Sequence, residues 1–244
     1  MKSVFFQKPL EFTIDISGES WKQGENVSGS LSVKSHSGDA LNYADYGIFL
    51  VKGDNKKIKK KDPKGITVIG ETLLGDSDNL SFSFDLDINC PITETSSGLY
   101  IICGKKDELL EGQQMALKVL PGQTITSFIE VIENFLRFKV KSLKYKKEAL
   151  EATIVVPNTK DYSKIMQFKL IFSKSEENLL LNYQFKIKSI DFSGGFTGTK
   201  DSNEEFKQVF TPKEYLSYGD SINQDFIVKK LNEIIDQVKL KPLV

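Results

Sequence analysis

Apolar side chains fall on every second position over much of the chain. Phe12, Ile14 and Ile16 alternate with Thr13 and Asp15, and Val27, Leu31 and Val33 alternate with serines and Lys34. The segment LSFSFDLDI puts Phe82, Phe84, Leu86 and Ile88 on one face and Ser81, Ser83, Asp85 and Asp87 on the other. A period of two is that of a strand with one dry and one wet face, which antiparallel sheets allow. Further strands are predicted over 47–51 and 66–74, in GLYIICG and in MALKVL. That gives about seven short strands before Pro121, the pattern of an antiparallel sandwich. In SWKQGENVSGSLSV, residues 20–33, Trp21 is predicted to cap one end of the core. Gly24-Glu25-Asn26 is predicted to turn, and Gly29 to sit where a side chain would crowd a facing sheet or break the pleat. Residues 75–79, GDSDN, read as a hairpin turn, since they lack the later Gly and terminal Glu of an EF-hand.

After Pro121-Gly122 the period changes. Ile125, Phe128, Ile129, Ile132, Phe135 and Leu136 recur at three and four residues, with Glu130, Glu133, Asn134 and Arg137 opposite. This predicts an amphipathic helix, capped by Thr126 or by Ser127 with Glu130, whose apolar stripe is buried against the flanking β domains. Alternation then returns at Leu150, Ala152, Ile154 and Val156. It continues through Met166, Phe168, Leu170 and Phe172, and through Leu179, Leu181, Tyr183, Phe185 and Ile187. A last helix is predicted with Ser221 as cap, Gln224 at capping-box spacing and a stripe of Phe226, Ile227, Leu231, Ile234, Ile235 and Val238. The expected organisation is a β-sandwich over 1–121, a linking helix over 122–137, and a second β-sandwich with a terminal helix over 138–244.

Composition narrows the function classes. Of 244 residues, 33 are Lys or Arg and 33 are Asp or Glu, so the formal net charge is zero and points to neither nucleic acid nor a membrane. Arg137 is the sole arginine, and lysine does not supply the bidentate fork that reads phosphates or guanine edges. No apolar run approaches the ~18 residues that cross a bilayer, and the start lacks the apolar core of a secretory signal. An intracellular, cytoplasmic protein is expected, with Cys90 and Cys103 as free thiols. His36, the one histidine, lies in Ser35-His36-Ser37-Gly38, a predicted solvated loop with no nucleophile motif beside it. One His and two dispersed Cys are too few for a zinc site. SGGFTGTK, residues 193–200, lacks the G-x-x-x-x-G-K spacing of a phosphate loop. No enzyme, cofactor or metal is expected.

One charged cluster stands out. In KGDNKKIKKKDPKG, residues 52–65, Lys56, Lys57, Lys59, Lys60 and Lys61 are interrupted only by Ile58. Such a cluster fits contact with an acidic protein partner or an anionic lipid surface, or a solvated hairpin that keeps a sheet edge from pairing. It has no arginine and no interleaved aromatics, so nucleic acid is not expected as a partner.

SWKQGENVSGSLSV resembles the arrestin-type opening, in which an aromatic, a turn, Gly-Glu and Val-x-Gly lead into an alternating strand. LSFSFDLDINCPITETSSGLYIICG is similar to a later segment of the same domain, and ALKVLP to its exit. The helix SFIEVIENFLRFKV directly after that Pro is similar to the bacterial sporulation-control (SpoOM-type) branch. The resemblance implies a mainly β chain of two arrestin-like, immunoglobulin-like antiparallel β-sandwich domains. It also implies no catalysis and a regulatory or scaffold role through protein–protein interaction in the cytoplasm. Alternatives are a retromer-subunit-like trafficking scaffold and a peripheral anionic-membrane module using the 56–61 lysines.

Overall fold

The computed structural model describes residues 1–37, 43–191, 198–219 and 221–240, without the side chains of 189–191 and 198–200. It divides into two compact units, Met1–Pro121 and Gly122–Val244.

The first unit is built from short strands. β1 (Lys2–Gln7), β2 (Leu10–Ile16), β3 (Trp21–Lys22) and β4 (Asn26–Ser35) are followed by β5 (Tyr46–Asp54), the short helix α1 (Asn55–Lys59) and β6 (Ile66–Leu73). β7 (Asn79–Asp85), β8 (Ser97–Lys105), β9 (Gln114–Ala116) and β10 (Val119–Leu120) complete it. One sheet runs β1-β2-β4-β7, a second runs β6-β5-β8-β9, and β3 pairs in parallel with β10. A shared core takes Phe12, Ile14, Ile16, Val27, Leu31, Phe82, Phe84 and Leu86 from the first sheet. It takes Ile48, Leu50, Leu99, Ile101 and Cys103 from the second. The predicted register therefore holds: Phe82, Phe84 and Leu86 are all buried. Trp21 is buried in this core together with Val119, its partner in β10. At Gly29 an added Cβ would collide with the Asp15 carbonyl oxygen of β2 and stand 2.9 Å from the Phe82 ring, so the crowding comes from neighbouring strands of the same sheet and not, as expected, from a facing one.

Two readings change here. Ile88 is 36% exposed, because β7 ends at Asp85 and the alternation it suggested stops with it. GDSDN is not a hairpin turn. β6 pairs with β5 and β7 with β4, so this turn carries the chain from one sheet to the other, with Gly75 at φ 63.

The second unit holds α2 (Gln123–Asn134), β11 (Lys139–Lys146), β12 (Ala149–Val155), β13 (Ile165–Ser175), β14 (Asn178–Asp191) and β15 (Gly198–Phe210). It ends with α3 (Pro212–Tyr215) and α4 (Gln224–Leu240). Its strands form one antiparallel sheet in sequence order, β11 to β15. The buried face carries Leu150, Ala152, Ile154, Phe168, Leu170, Phe172, Leu181, Tyr183 and Phe185. The fold class stands as mainly β and antiparallel, with one difference: the layer over this face is helical among the described residues. Phe128 of α2 meets Phe172 edge-on at 5.3 Å, and Phe226 of α4 meets Phe210 at 5.1 Å. Two amphipathic helices supply the apolar stripe that a second sheet would otherwise provide.

The helix details are corrected in three places. α2 starts at Gln123, with Gly122 as its N-cap and no side-chain cap. Ser127 is already inside the helix and accepts from Gln123 Nε2 at 3.1 Å, so the expected box with Glu130 does not form. The buried stripe is Ile125, Phe128, Val131 and Ile132; Phe135 is 54% exposed because the helix ends one residue earlier. In α4 the cap is Asn223, whose Oδ1 accepts from the Phe226 amide at 3.2 Å, in place of Ser221. Met166 is 41% exposed: an extra residue in β13 between Ile165 and Gln167 gives the inward position to Ile165.

Two outcomes follow from this core. Phe84 is 6% exposed, and Phe84→Ala is expected to cost ~3–5 kcal/mol. The fluorescence of Trp21, which lies in the same core, reads that cost as a lower urea midpoint; an unmoved midpoint would refute the packing. The second outcome concerns pH. Cys90 and Cys103 are buried and free. Burial, reinforced by Asp87, pushes the Cys90 thiol from 9.0 up to about 12, and burial raises Cys103 as well. Above pH 9 the unfolded chain gives up the Cys90 proton while the folded chain keeps it, so stability falls as pH rises toward 12. Cys90→Ala is expected to flatten that alkaline slope in pH-dependent urea melts; an unchanged slope contradicts the assignment.

Candidate functional site

The lysine cluster is not a floppy hairpin. Asp54 ends β5 and caps α1, accepting from the Lys56 and Lys57 amides at 2.9 and 3.0 Å. Ile58, the one apolar residue of the run, is 4% exposed. It packs with Phe49, Val51, Tyr100, Ile102 and Leu109 on the face of the β5–β8 pair turned away from the main core. Space for it comes from Gly53, where a Cβ would collide with Ile58 Cδ1 and stand 3.1 Å from the Tyr100 ring. The helix is pinned on its other side as well. Tyr100 donates its hydroxyl to Asn55 Oδ1 at 2.7 Å, and the Asn55 amide donates to the Ser96 carbonyl at 2.9 Å. Burial first, and then the Asp54 carboxylate, hold the Tyr100 phenol above its ordinary value.

The exit is equally defined. The Lys61 amide donates to the Ile58 carbonyl at 2.9 Å, and Lys61 itself adopts φ 54. Asp62 accepts from the Lys64 amide at 2.9 Å and starts the single turn Pro63–Gly65. At Gly65 a Cβ would stand 2.6 Å from Lys57 Cβ, so this turn lies directly against α1.

Lys56, Lys57, Lys59, Lys60 and Lys61 are all exposed on this knob. Lys61 pairs with Glu111. No ion pair joins the other four to an acid among the described residues. Beside the knob lies an open groove of about 530 Å³, whose lining includes Val4, Phe5, Ile58, Lys59, Lys61 and Glu111. The arrangement can hold negative charge against a fixed cationic surface. Sequence reasoning found the five lysines; the anchor Ile58, the Asp54 cap and the groove were visible only once the strands were placed.

The remaining candidates give no concerted chemistry. His36 is half-exposed, with Nε2 2.9 Å from Glu11 Oε2, a surface hydrogen bond with no nucleophile in the pairing. Among the described residues no group of three or more His, Cys, Asp or Glu could hold a metal ion. Of SGGFTGTK, residues 193–197 lie outside the described residues, and Gly198–Lys200 belong to β15. No described helix is long and apolar enough to cross a membrane.

The solved structure of Spo0M, a sporulation control protein from Bacillus subtilis, superposes with a TM-score of 0.62 at 16% identity, over 95% of this chain and 99% of that one. The chain has the Spo0M-type arrestin-like fold. A Salmonella alpha-2-macroglobulin reacted with methylamine matches at a TM-score of 0.30 and 14% identity, over 84% of this chain and 15% of that one. No protein-family model and no curated protein sequence matches the chain. The Spo0M-type likeness is thus one of fold, reached with few shared residues, and it spans both units.

Ile58→Ala is expected to free the knob. Removing most of a buried Ile side chain leaves a cavity under α1, and the helix, one and a half turns long, has little stability of its own. Limited trypsin digestion, with fragments identified by mass, should then cut at Lys56–Lys61 much faster than in the wild type while the Trp21 melt keeps a single transition. Equal cleavage rates would show that Ile58 does not hold the cluster.

Proposed function

We propose that this chain is a non-enzymatic regulatory protein acting in the cytoplasm through protein contacts, in the manner of sporulation-control proteins. The observation that supports this most is the extent of the likeness: nearly the whole of both chains aligns with a protein described as controlling sporulation. The surface is in keeping with such a role. β6 is an edge strand with Val68, Ile69 and Leu73 each at least 40% exposed, and an extended segment of another protein can add to an edge of this kind. The lysine knob adds charge selectivity, favouring acidic partners and making their association rate sensitive to salt.

A second reading is carried by the knob itself. Four lysines without an acidic partner, on a helix fixed by a buried isoleucine, form a patch that suits weak contact with an anionic membrane. Each lysine near such a surface contributes about 1 kcal/mol.

Affinity purification from the native host, with quantitative mass spectrometry at low and high salt, tests the first reading. The wild type is expected to retain a reproducible set of proteins. Replacement of Lys56, Lys57, Lys59, Lys60 and Lys61 by Ser should remove the salt-sensitive members of that set. An empty set at every salt concentration would sink the regulatory-contact reading. Co-sedimentation with phosphatidylserine vesicles tests the second: binding that survives the five serine replacements rules the knob out as the lipid contact.

A further inference from the structure

β15 closes one edge of the five-stranded sheet. It is long, Gly198–Phe210, and pairs on one side only, with β14. The direction of its free backbone groups follows from one bond. The Lys188 amide donates to the Lys164 carbonyl, on the β13 side of β14. Backbone groups alternate in direction along a strand, and β14 pairs with β15 without a register shift. The even-numbered groups of β14 therefore face β13 and the odd-numbered ones face β15. Tyr183 stands opposite Phe206, and Phe185 opposite Glu204, so the even-numbered groups of β15 complete that ladder. The odd-numbered groups of Asp201, Asn203, Glu205, Lys207 and Val209 point to the open edge. None of them takes part in a hydrogen bond to another element among the described residues. Their side chains line the sheet face not covered by the helices; Lys207 and Glu205 lie 3.7 Å apart as an exposed pair, 75% and 50% exposed at the side chain, which a facing copy can exchange for pairs across the edge, and Val209 is 59% exposed overall.

A second copy of the strand can meet this edge antiparallel, about a twofold axis normal to the sheet. Such an axis keeps side chains on their own faces and sets odd-numbered residues opposite odd-numbered ones. Among registers centred between Asn203 and Lys207, the charges then leave one. Centring on Glu205 or on Lys207 sets like charges face to face, and centring on Glu204 does the same on the other face. Centring on Asn203 opposes Asp201 and Glu205. Centring on Phe206 opposes Glu205 to Lys207 twice, Asn203 to Val209 twice and Glu204 to Gln208 twice, with no like pair between Ser202 and Phe210. It also brings Phe206 against its own copy. That extends an aromatic row already present, in which Phe168 stacks on Phe185 at 4.9 Å and Phe185 meets Phe206 at 6.0 Å.

We propose that the β15 edge is a self-association surface, on which two copies of this chain pair antiparallel about Phe206 and join their five-stranded sheets into one. A natural edge usually carries charge that repels its own copy. Here the charge pattern of the Glu205-Phe206-Lys207 segment complements itself under the twofold.

The test uses the full chain in sedimentation velocity across a concentration series. The wild type is expected to shift from monomer to dimer as concentration rises. Glu205→Lys and Lys207→Glu each set like charges opposite one another and should each remain monomeric, with the thermal melt followed by circular dichroism showing that the fold is kept. Mixed in equal amounts, the two variants regain both opposite-charge contacts and should form a heterodimer. A wild type that stays monomeric throughout, single variants that still dimerise as the wild type does, or a mixture that stays monomeric would each overturn the proposal. Should a charge variant fail to fold, Val209→Pro tests the same ladder. It removes an outward-pointing amide, which an edge strand tolerates, and a dimer that survives it overturns the proposal equally.

Discussion

The β5–β8 pair is apolar on both faces, and it therefore has to be covered twice. Ile48, Leu50, Leu99, Ile101 and Cys103 face the first sheet, while Phe49, Val51, Tyr100 and Ile102 face the other way. Leaving that second set wet would forgo ~1.5–3 kcal/mol for each large side chain. The chain meets the requirement locally, with α1 leaving β5 and the turn Lys106–Glu111 leaving β8. Each folds one apolar side chain, Ile58 and Leu109, onto the exposed patch. The lysine knob owes its position to that covering: the residues flanking Ile58 are carried to the surface because Ile58 is carried inward.

The second unit solves the same problem in another way. Its sheet is apolar on one face only, and the chain covers that face with α2 and α4. The other face stays polar. Lys146 and Lys169 both reach Glu151, at 2.9 and 3.2 Å, and Lys186 reaches Asp201 at 2.7 Å. The lysines are open to solvent, although Glu151 is only 14% exposed at its side chain, and such surface pairs contribute little each. Their effect is to keep the open face polar, while the main-chain groups of β15 point outward at the strand edge.

Much of this was legible in the sequence because alternation is a local property. Phe12 to Ile16, Val27 to Val33, Phe82 to Leu86 and Leu179 to Ile187 each state in a few residues which face is dry, and the structure buries them as stated. The elements that were missed lack that signature. β1 is a short edge strand with Val4 and Phe6 exposed, so its apolar residues fall on both faces. β11 loses its period at the register shift between Val140 and Ser142, and β15 is polar on both faces through most of its length. α1 is too short for a helical period to show.

By itself the sequence determined the strand faces, the helical interlude after Pro121 and the identity of the lysine cluster, all of which rest on neighbours within a few positions. Only the tertiary structure decided which strands pair, that a helical layer covers the second sheet, and that Asp54, Gly53 and Tyr100 hold the knob in place. Those outcomes depend on contacts between residues far apart in the chain: Tyr100 is 45 residues from the Asn55 it binds. The direction of the β15 edge belongs with them, because it follows from a hydrogen bond two strands away.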